Sequence, residues 1–286
     1  MVHEHIKKIS GRKKDSHKGD YGRVLILAGS RGMTGAAFLS SQGALISGSG
    51  LVTNGIPRLL NSIMETKLTE VMTLPLPETK NLSLALKAKK EILHFAKKCN
   101  AVAIGPGLGT DNETQKLVRE LLEELTMPVV LDADGINALE GDLSPLTARQ
   151  AQTVITPHPG EMARLTGKVA DEVQASRESI ARSVAELTGA IVCLKGHETV
   201  VADPQGKVYV NKTGNSGMAS GGTGDVLTGM IVSFIGQSID AYSATVAAVY
   251  IHGLAGDIAA DKKGQFCMTA SDILTYMPEA FDKAGL

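Results

Sequence analysis

One local arrangement recurs along most of this chain. A short, nearly continuous apolar run ends in glycine or polar residues and then gives way to a helical pattern. Arg23 to Ala28 (RVLILA) runs into Gly29-Ser30-Arg31-Gly32-Met33-Thr34-Gly35 and a small-residue helix from Ala36 to about Gly48. Asn100 to Ile104 closes on Gly105-Pro106-Gly107-Leu108-Gly109. Pro128 to Leu131 delivers Asp132 and then Ala133-Asp134-Gly135-Ile136-Asn137. Gln152 to Thr156 delivers Pro157-His158-Pro159-Gly160-Glu161, and Ala190 to Leu194 delivers Lys195-Gly196-His197-Glu198-Thr199. Runs of this kind lack the alternation of a strand with one wet face. They are expected where both faces are covered, in a parallel sheet between helices. Strands alternating with helices therefore predict an α/β fold with three layers, α/β/α, around a mostly parallel central sheet. Ligands of such sheets lie outside the carboxyl ends of the strands. The five loops named above all sit at that end, so they share one edge, and this coincidence predicts an enzyme site.

The intervening segments fit the same plan. Leu51 to Ile56 and Glu70 to Leu74 are expected strands, the second ended by Pro75 to Pro77. Leu82 to Cys99 is expected to be one helix, with Leu86, Ile92, Leu93 and Ala96 on one face and lysines on the other. Leu117, Leu121 and Leu125, with Val118 and Leu122, mark a further helix; Val173, Ile180, Val184 and Leu187 mark another. Thr199 to Ala202 and Lys207 to Asn211 flank the turn sequence Asp203-Pro204-Gln205-Gly206 and predict a β-hairpin in the C-terminal half. Helices are expected near 225–235, 240–260 and 270–281. The polar residues 1–17 are expected to form a flexible arm. With no repeat, low-complexity segment or linker, one domain over 1–286 is the simplest organisation.

Composition narrows the partners. A net charge of −1 over 286 residues predicts neither nucleic acid nor a membrane surface. Cys99, Cys193 and Cys267 lack CxxC spacing, which disfavours thiolate metal sites and a disulfide framework. No secretory signal and no apolar run long enough to span a bilayer are evident, so a reducing cytoplasm is the expected compartment. Aromatic residues make up only 3%, which argues against stacking as the main way of holding a ligand.

The glycine clusters instead point to sites built from backbone. The stretch Asn215 to Gly229, NSGMASGGTGDVLTG, runs into a helix expected to open at Asp225, followed by Val226, Leu227, Met230 and Ile231. Glycine-rich backbone at a helix N-terminus offers unpaired N–H groups and a positive dipole end, which suits phosphate. A carboxylate there is either a helix cap or a group that does chemistry on something attached to the phosphate. Glycines 29, 32 and 35 are spaced GxxGxxG with no acidic residue at ribose distance, so a dinucleotide fingerprint is rejected; Walker A and GxSxG sequences are absent. Gly107 allows close backbone approach or serves a βα turn. His158 is fixed between prolines and is either functional or satisfied by backbone; no second ligand at metal spacing accompanies it. Glu161 is a helix-start or a functional residue, Asp132 a divalent-ion or structural carboxylate, and Lys195 a phosphate-pocket or surface lysine.

Six segments in order, KGDYGRVLILAGSRGMTGAA, AVAIGPGLG, VVLDADGINAL, VITPHPGEMARLTG, VCLKGHETVVAD and NKTGNSGMASGGTGDVLTGMI, resemble the ADP/ATP-dependent NAD(P)H-hydrate dehydratases, a ribokinase-like family. The resemblance covers Lys18 to about Gly256. It implies a ribokinase-like sandwich that dehydrates NADH or NADPH hydrated at C6 of the nicotinamide ring. The hydroxyl would be phosphorylated from ADP or ATP, with ADP the expected choice, and then lost as phosphate. Carried over by motif, Asp225 is the catalytic base; Gly222, Thr223 and Gly224 form the anion hole. Ala36, Gly107, His158 and Asp225 touch the hydrate, and Lys195, Gly196, His197, Glu198, Thr199 and Gly224 touch the nucleotide. Mg²⁺ bridging phosphates is implied, with no protein ligand assigned. The family also implies a homo-oligomer, tetrameric by resemblance, and an epimerase domain that is expected here on a separate protein. Ser220 stands where many relatives have lysine. The alternative readings are a vitamin-precursor kinase of the same superfamily and a nucleotide sensor without turnover.

Overall fold

The structure, a computed structural model, describes residues 2–9, 11–139 and 141–286. Among the described residues nine strands form one sheet: β1 (Arg23–Leu27), β2 (Leu51–Pro57), β3 (Met72–Leu76), β4 (Ala101–Ile104), β5 (Val129–Leu131), β6 (Thr153–Ile155), β7 (Ile191–Leu194), β8 (Val200–Ala202) and β9 (Val208–Val210). Their order is β3-β2-β1-β4-β5-β6-β7-β8-β9. Pairing is parallel as far as β7, whereas β8 and β9 add as an antiparallel hairpin. The order of strands reverses between β1 and β4, which makes the crevice above that pair the natural ligand site of an open parallel sheet.

The helices are α1 (Val2–Ile6), α2 (Thr34–Ile46), α3 (Asn61–Lys67), α4 (Lys89–Ala96), α5 (Asn112–Glu124), α6 (Asp134–Asn137), α7 (Ser144–Thr147), α8 (Pro159–Thr166), α9 (Ala170–Ala175), α10 (Arg177–Thr188), α11 (Thr223–Gly236), α12 (Ala241–Lys263) and α13 (Ala270–Ala284). They cover both faces, and the strands alternate between two cores. Val24 and Ile26 point to the core shared with α2, α11, α12 and α13. Leu25 and Leu27 point to the core shared with α4, α5, α8 and α10. Both sets are fully buried, which is why these runs show no polar alternation.

Several local features differ from what the pattern of residues predicts; the one helix expected from Val173, Ile180, Val184 and Leu187 is two, α9 and α10, parted at Ser176. β3 continues through Pro75, which pairs in register with Ile56; as an edge strand it tolerates a residue without an N–H. The helix expected from Leu82 begins later, with a 3-10 turn at Leu86–Ala88 ahead of α4. Leu82 has φ 56°, and Thr79 Oγ1 accepts from the amides of Asn81 and Ser83 at 3.2 and 3.4 Å. This local turn displaces the first helical residues. Within the expected arm over 1–17, the described residues include several that are anchored instead. Ile6 of α1 is buried, His5 Nδ1 lies 2.9 Å from Ser243 Oγ, and Lys8 Nζ donates to Asp240 at 2.7 Å. Arg12 stacks 4.5 Å from the ring centroid of Tyr21. Finally, α12 is long and apolar enough to cross a membrane by length and composition, contrary to the expectation of no such run. Of its most apolar window 78% is buried inside the fold, as in a central core helix.

The α2–α11 contact sets the position of the glycine-rich turn. It is built from small residues, so the backbones approach closely. A Cβ on Gly43 would stand 2.6 Å from the Val226 carbonyl oxygen, and one on Gly229 would stand 2.8 Å from the Ala44 nitrogen. Backbone cannot rotate away as a side chain can, so a methyl at either place must push the helices apart. Gly43→Ala is expected to destabilise the protein by about 1–3 kcal/mol, seen as a lower urea midpoint with an unchanged slope; an unchanged midpoint would show that the two helices are free to separate.

Candidate active site

Gly222 begins the site with φ 94°, a left-handed conformation that suits glycine, and a Cβ there would run into Leu39 and stand 3.1 Å from Ala270. The helix α11 starts at Thr223, two residues before the expected position. Asp225 is therefore the third residue of the first turn, and the cap position belongs to Gly222. Val226 is the first residue of α11 whose amide reaches back, to the Gly222 carbonyl at 3.2 Å. The amides of Thr223, Gly224 and Asp225 remain as the unsatisfied donors of the helix start, with the dipole behind them.

Asp225 sits partly buried beside those donors. Burial pushes its carboxyl up to about 7, helped by the carboxylate of Asp132 and opposed by the Lys195 ammonium; Asp134 and Glu161 add smaller upward effects. A carboxyl in this range exchanges a proton near neutral pH.

Beneath it lies a buried polar cluster. Asp132, at the end of β5, is 1% exposed and accepts from Lys195 Nζ at 2.6 Å, Thr156 Oγ1 at 2.7 Å and Thr228 Oγ1 at 2.7 Å. Lys195 Nζ also lies 3.8 Å from Glu161. Burial alone would lower the lysine, but the two carboxylates outweigh it and hold its pKa above the ordinary value. Gly224 packs against this ammonium, 3.3 Å from where its Cβ would be. Of the two alternatives for Asp132, the arrangement observed is structural hydrogen bonding. Lys195 is likewise no simple surface lysine.

His158 caps α8. Its Nδ1 accepts from the amides of Gly160 and Glu161 at 3.0 and 3.2 Å, and its backbone N–H donates to Glu161 Oε2 at 2.7 Å. Glu161 thus completes a reciprocal cap while its carboxylate also faces Lys195. With Nδ1 occupied, Nε2 is the protonated nitrogen of the neutral ring, 3.3 Å from Glu161 Oε1.

A cleft of ≈ 770 Å³ opens on this edge, lined by His158, Lys195, Gly196, His197, Glu198, Thr199, Thr223 and Gly224, together with residues 213–216 and 218–221 and part of α12. Ala36 and Gly107 lie outside it, after β1 and β4, and pack against each other. A Cβ on Gly107 would stand 2.9 Å from that of Met33 and 3.0 Å from that of Ala36. Ser30 Oγ donates to the Gly107 carbonyl at 2.9 Å and Asp134 Oδ2 accepts from the Gly109 amide at 2.8 Å, bracing the glycine loop. Asp225 directly follows Gly224 of the cleft wall and feels the charge of Asp134, which holds the glycine loop.

Sequence reasoning placed Thr156 at this edge as the end of its strand but gave it no role, and it missed Thr228 and His252. Thr228 was detectable as the residue one turn after Asp225 on the same helix. His252 carried no signal, because only the fold brings it here. Ala133, at φ 48°, is a strained non-glycine residue. It lets Asp132 point inward and Asp134 toward Gly109. Among the described residues no group of three or more His, Cys, Asp or Glu side chains could hold a metal ion.

The family model for NAD(P)H-hydrate dehydratase, the Carb_kinase family, matches residues 24–279. A "Bifunctional NAD(P)H-hydrate repair enzyme Nnr" from Moorella thermoacetica is 46% identical over 267 residues, covering 93% of this chain and 50% of that protein. The chain thus spans about half the length of the bifunctional relatives it matches. An "ADP-dependent (S)-NAD(P)H-hydrate dehydratase" from Neisseria meningitidis serogroup B is 36% identical, covering 88% of this chain and 82% of that one. The ADP/ATP-dependent NAD(P)H-hydrate dehydratase of Bacillus subtilis, co-crystallised with ATP/Mg²⁺, superposes with a TM-score of 0.87 at 32% identity, over 99% of this chain and 97% of that one. A hydroxyethylthiazole kinase from Pyrococcus horikoshii, at 15% identity and a TM-score of 0.62, shares the fold alone. With most of its length matched by the family model and by relatives above 30% identity, this chain belongs to the NAD(P)H-hydrate dehydratase family.

Proposed function

We propose that this protein dehydrates the C6 hydrate of NADH or NADPH at the expense of an adenine nucleotide, ADP by preference. One observation carries the reading: a carboxyl poised at about pH 7 stands in the same helical turn as free backbone amides at a helix N-terminus. The amides of Gly222, Thr223 and Gly224 hold the phosphoryl group in transfer, where fixed dipoles do most for a charged transition state. Asp225 takes the proton of the C6 hydroxyl as its oxygen bonds to the terminal phosphorus and the bond to the departing nucleotide breaks. The ring nitrogen lone pair then expels phosphate from C6, and loss of a proton from C5 restores the dihydronicotinamide. The loop Lys195 to Thr199 lines the nucleotide cleft, Ala36 and Gly107 line the crevice for the nicotinamide, and His158 stands at the border.

Mg²⁺ fits such a site only in one way. Asp132 is fully engaged by Lys195 and two threonines, and Glu161 by the α8 cap and Lys195. The ion would be held mainly by phosphate oxygens and water, as is common for magnesium, and would supply charge neutralisation for the phosphates.

The direct test is recovery of NADH absorbance from purified hydrate on adding ADP or ATP. No recovery with either nucleotide, or stable phosphorylation of a vitamin precursor instead, would overturn the reading. Asp225→Asn is expected to lower turnover by about 10²–10⁴-fold while nucleotide affinity stays within a few-fold. The same variant tests the environment of the carboxyl without any activity measurement. The folded-state pKa of about 7 lies above the ordinary 3.8. The native state therefore retains a proton that the unfolded chain releases. The stability owed to Asp225 is complete below about pH 4 and is lost as the pH rises through 7. At pH 8 Asp225→Asn is thus expected to be more stable than the parent, by on the order of a few kcal/mol at most. Near pH 4 the advantage should vanish; equal melting temperatures at both pH values would contradict a buried carboxyl.

In the pH profile of kcat, the acid limb should reflect ionisation of Asp225. Asp132→Asn removes the neighbouring charge that raises it and leaves Lys195 to lower it, so the acid limb should move to lower pH. A limb that stays in place would assign the titration to another group.

A further inference from the structure

The apolar end of the nucleotide cleft contains a polar atom that the protein itself does not use. Leu227, Val249 and Met218 form its apolar walls. The polar side chains among them are engaged. Asn211 Nδ2 donates to the Thr213 carbonyl at 2.9 Å, Thr213 Oγ1 donates to the Tyr250 carbonyl at 2.8 Å, and Asn215 Nδ2 donates to the Gly256 carbonyl at 3.0 Å. His252, on α12, is different. It is 6% exposed, and its Nε2 lies 3.0 Å from the carbonyl oxygen of Thr223. A carbonyl only accepts, so Nε2 carries the proton and Nδ1 presents a lone pair. Burial holds the ring down to about 4, so it is neutral throughout the physiological range. Among the described residues no group donates to Nδ1. Nor is Nδ1 among the polar atoms sealed from solvent without a partner, and His252 lines the cleft, so this nitrogen opens into it.

We propose that His252 is a specificity and positioning residue for the nucleotide: Nδ1 accepts a hydrogen bond from a donor on the nucleoside half, and Nε2–H holds the Thr223 carbonyl. The donor is either the exocyclic amine of adenine or a ribose hydroxyl. This inference rests on the nucleotide-dependent reading above. An acceptor in a largely desolvated wall discriminates strongly, because a ligand without the matching donor leaves it unpaired. The second nitrogen gives the contact a further consequence. Thr223 opens the helical turn that carries Gly224 and Asp225, so one imidazole ties the nucleoside to the turn that holds the phosphates. A donor at Nδ1 polarises the ring and strengthens the hydrogen bond from Nε2.

The test measures binding directly, by titration calorimetry of the full chain with ADP, purine riboside diphosphate, 2′-deoxy-ADP and 3′-deoxy-ADP. One analogue, the one lacking the donor that meets Nδ1, is expected to bind the parent protein roughly 5- to 100-fold more weakly than ADP. In His252→Leu that penalty should shrink to within about twofold, since leucine offers no acceptor. His252→Gln tests the second role. Glutamine can still donate to the Thr223 carbonyl, so turnover at saturating nucleotide should fall less in His252→Gln than in His252→Leu. If the parent binds all four ligands alike, or if the penalty survives in His252→Leu, the assignment is wrong even though the protein binds ADP. If the parent binds no adenine nucleotide at all, the nucleotide-dependent reading falls and this inference falls with it.

Discussion

A buried ion pair holds this active edge together. Lys195 comes from the end of β7, Asp132 from the end of β5, and the two threonines that complete the carboxylate's hydrogen bonds come from β6 and α11. Four elements far apart in sequence are thereby fixed around one negative charge. Breaking such a pair by removing one partner costs far more than the pair contributes over an apolar substitute, because the remaining charge is left uncompensated. The geometry also has an electrostatic result. Burial is the main reason that the proton affinity of Asp225 stands above that of a free aspartate, and Asp132 adds to it while Lys195 opposes it. The pair that fixes the edge therefore also adjusts this carboxyl.

The second constraint is closeness of backbone. α2 meets α11 through Gly43, Ala44, Ser40 and Gly229, and the crevice above β1 and β4 is closed by Ala36 against Gly107. Small residues here bring two helix N-termini and two glycine loops to the same edge. The result is a site assembled mainly from amides and carbonyls, which suits a chain with so few aromatic residues. Ala36 and Gly107 lie outside the cleft, and Asp225 directly follows Gly224 of its wall.

The general plan was legible from residue patterns because its cause is local. Apolar runs without alternation belong to strands covered on both faces, and glycine or polar clusters at their ends mark the loops. The hairpin was equally legible, since Asp203 Oδ1 accepts from the amides of Gln205 and Lys207 within its own turn. Errors occurred where short-range preference was overruled. Thr79 and Leu82 build a turn where periodicity predicts helix, Pro75 survives in a strand because β3 is an edge, and the polar N-terminal residues are held by Ser243 and Asp240 more than two hundred residues away.

What the amino-acid sequence determined by itself was the order of the layers, the edge at which the glycine and polar loops gather and the identity of most groups placed there. Each of these follows from the order of residues along a few consecutive positions. Tertiary structure alone decided what those groups are. Asp225 is an acid of raised pKa because the fold buries it and brings Asp132 near it, Lys195 is an ion-paired lysine because it meets Asp132, and His252 presents a bare lone pair because Thr223 fixes its proton. Proton affinity and hydrogen-bond polarity depend on neighbours in space, and those neighbours are set only when the sheet brings distant strands side by side.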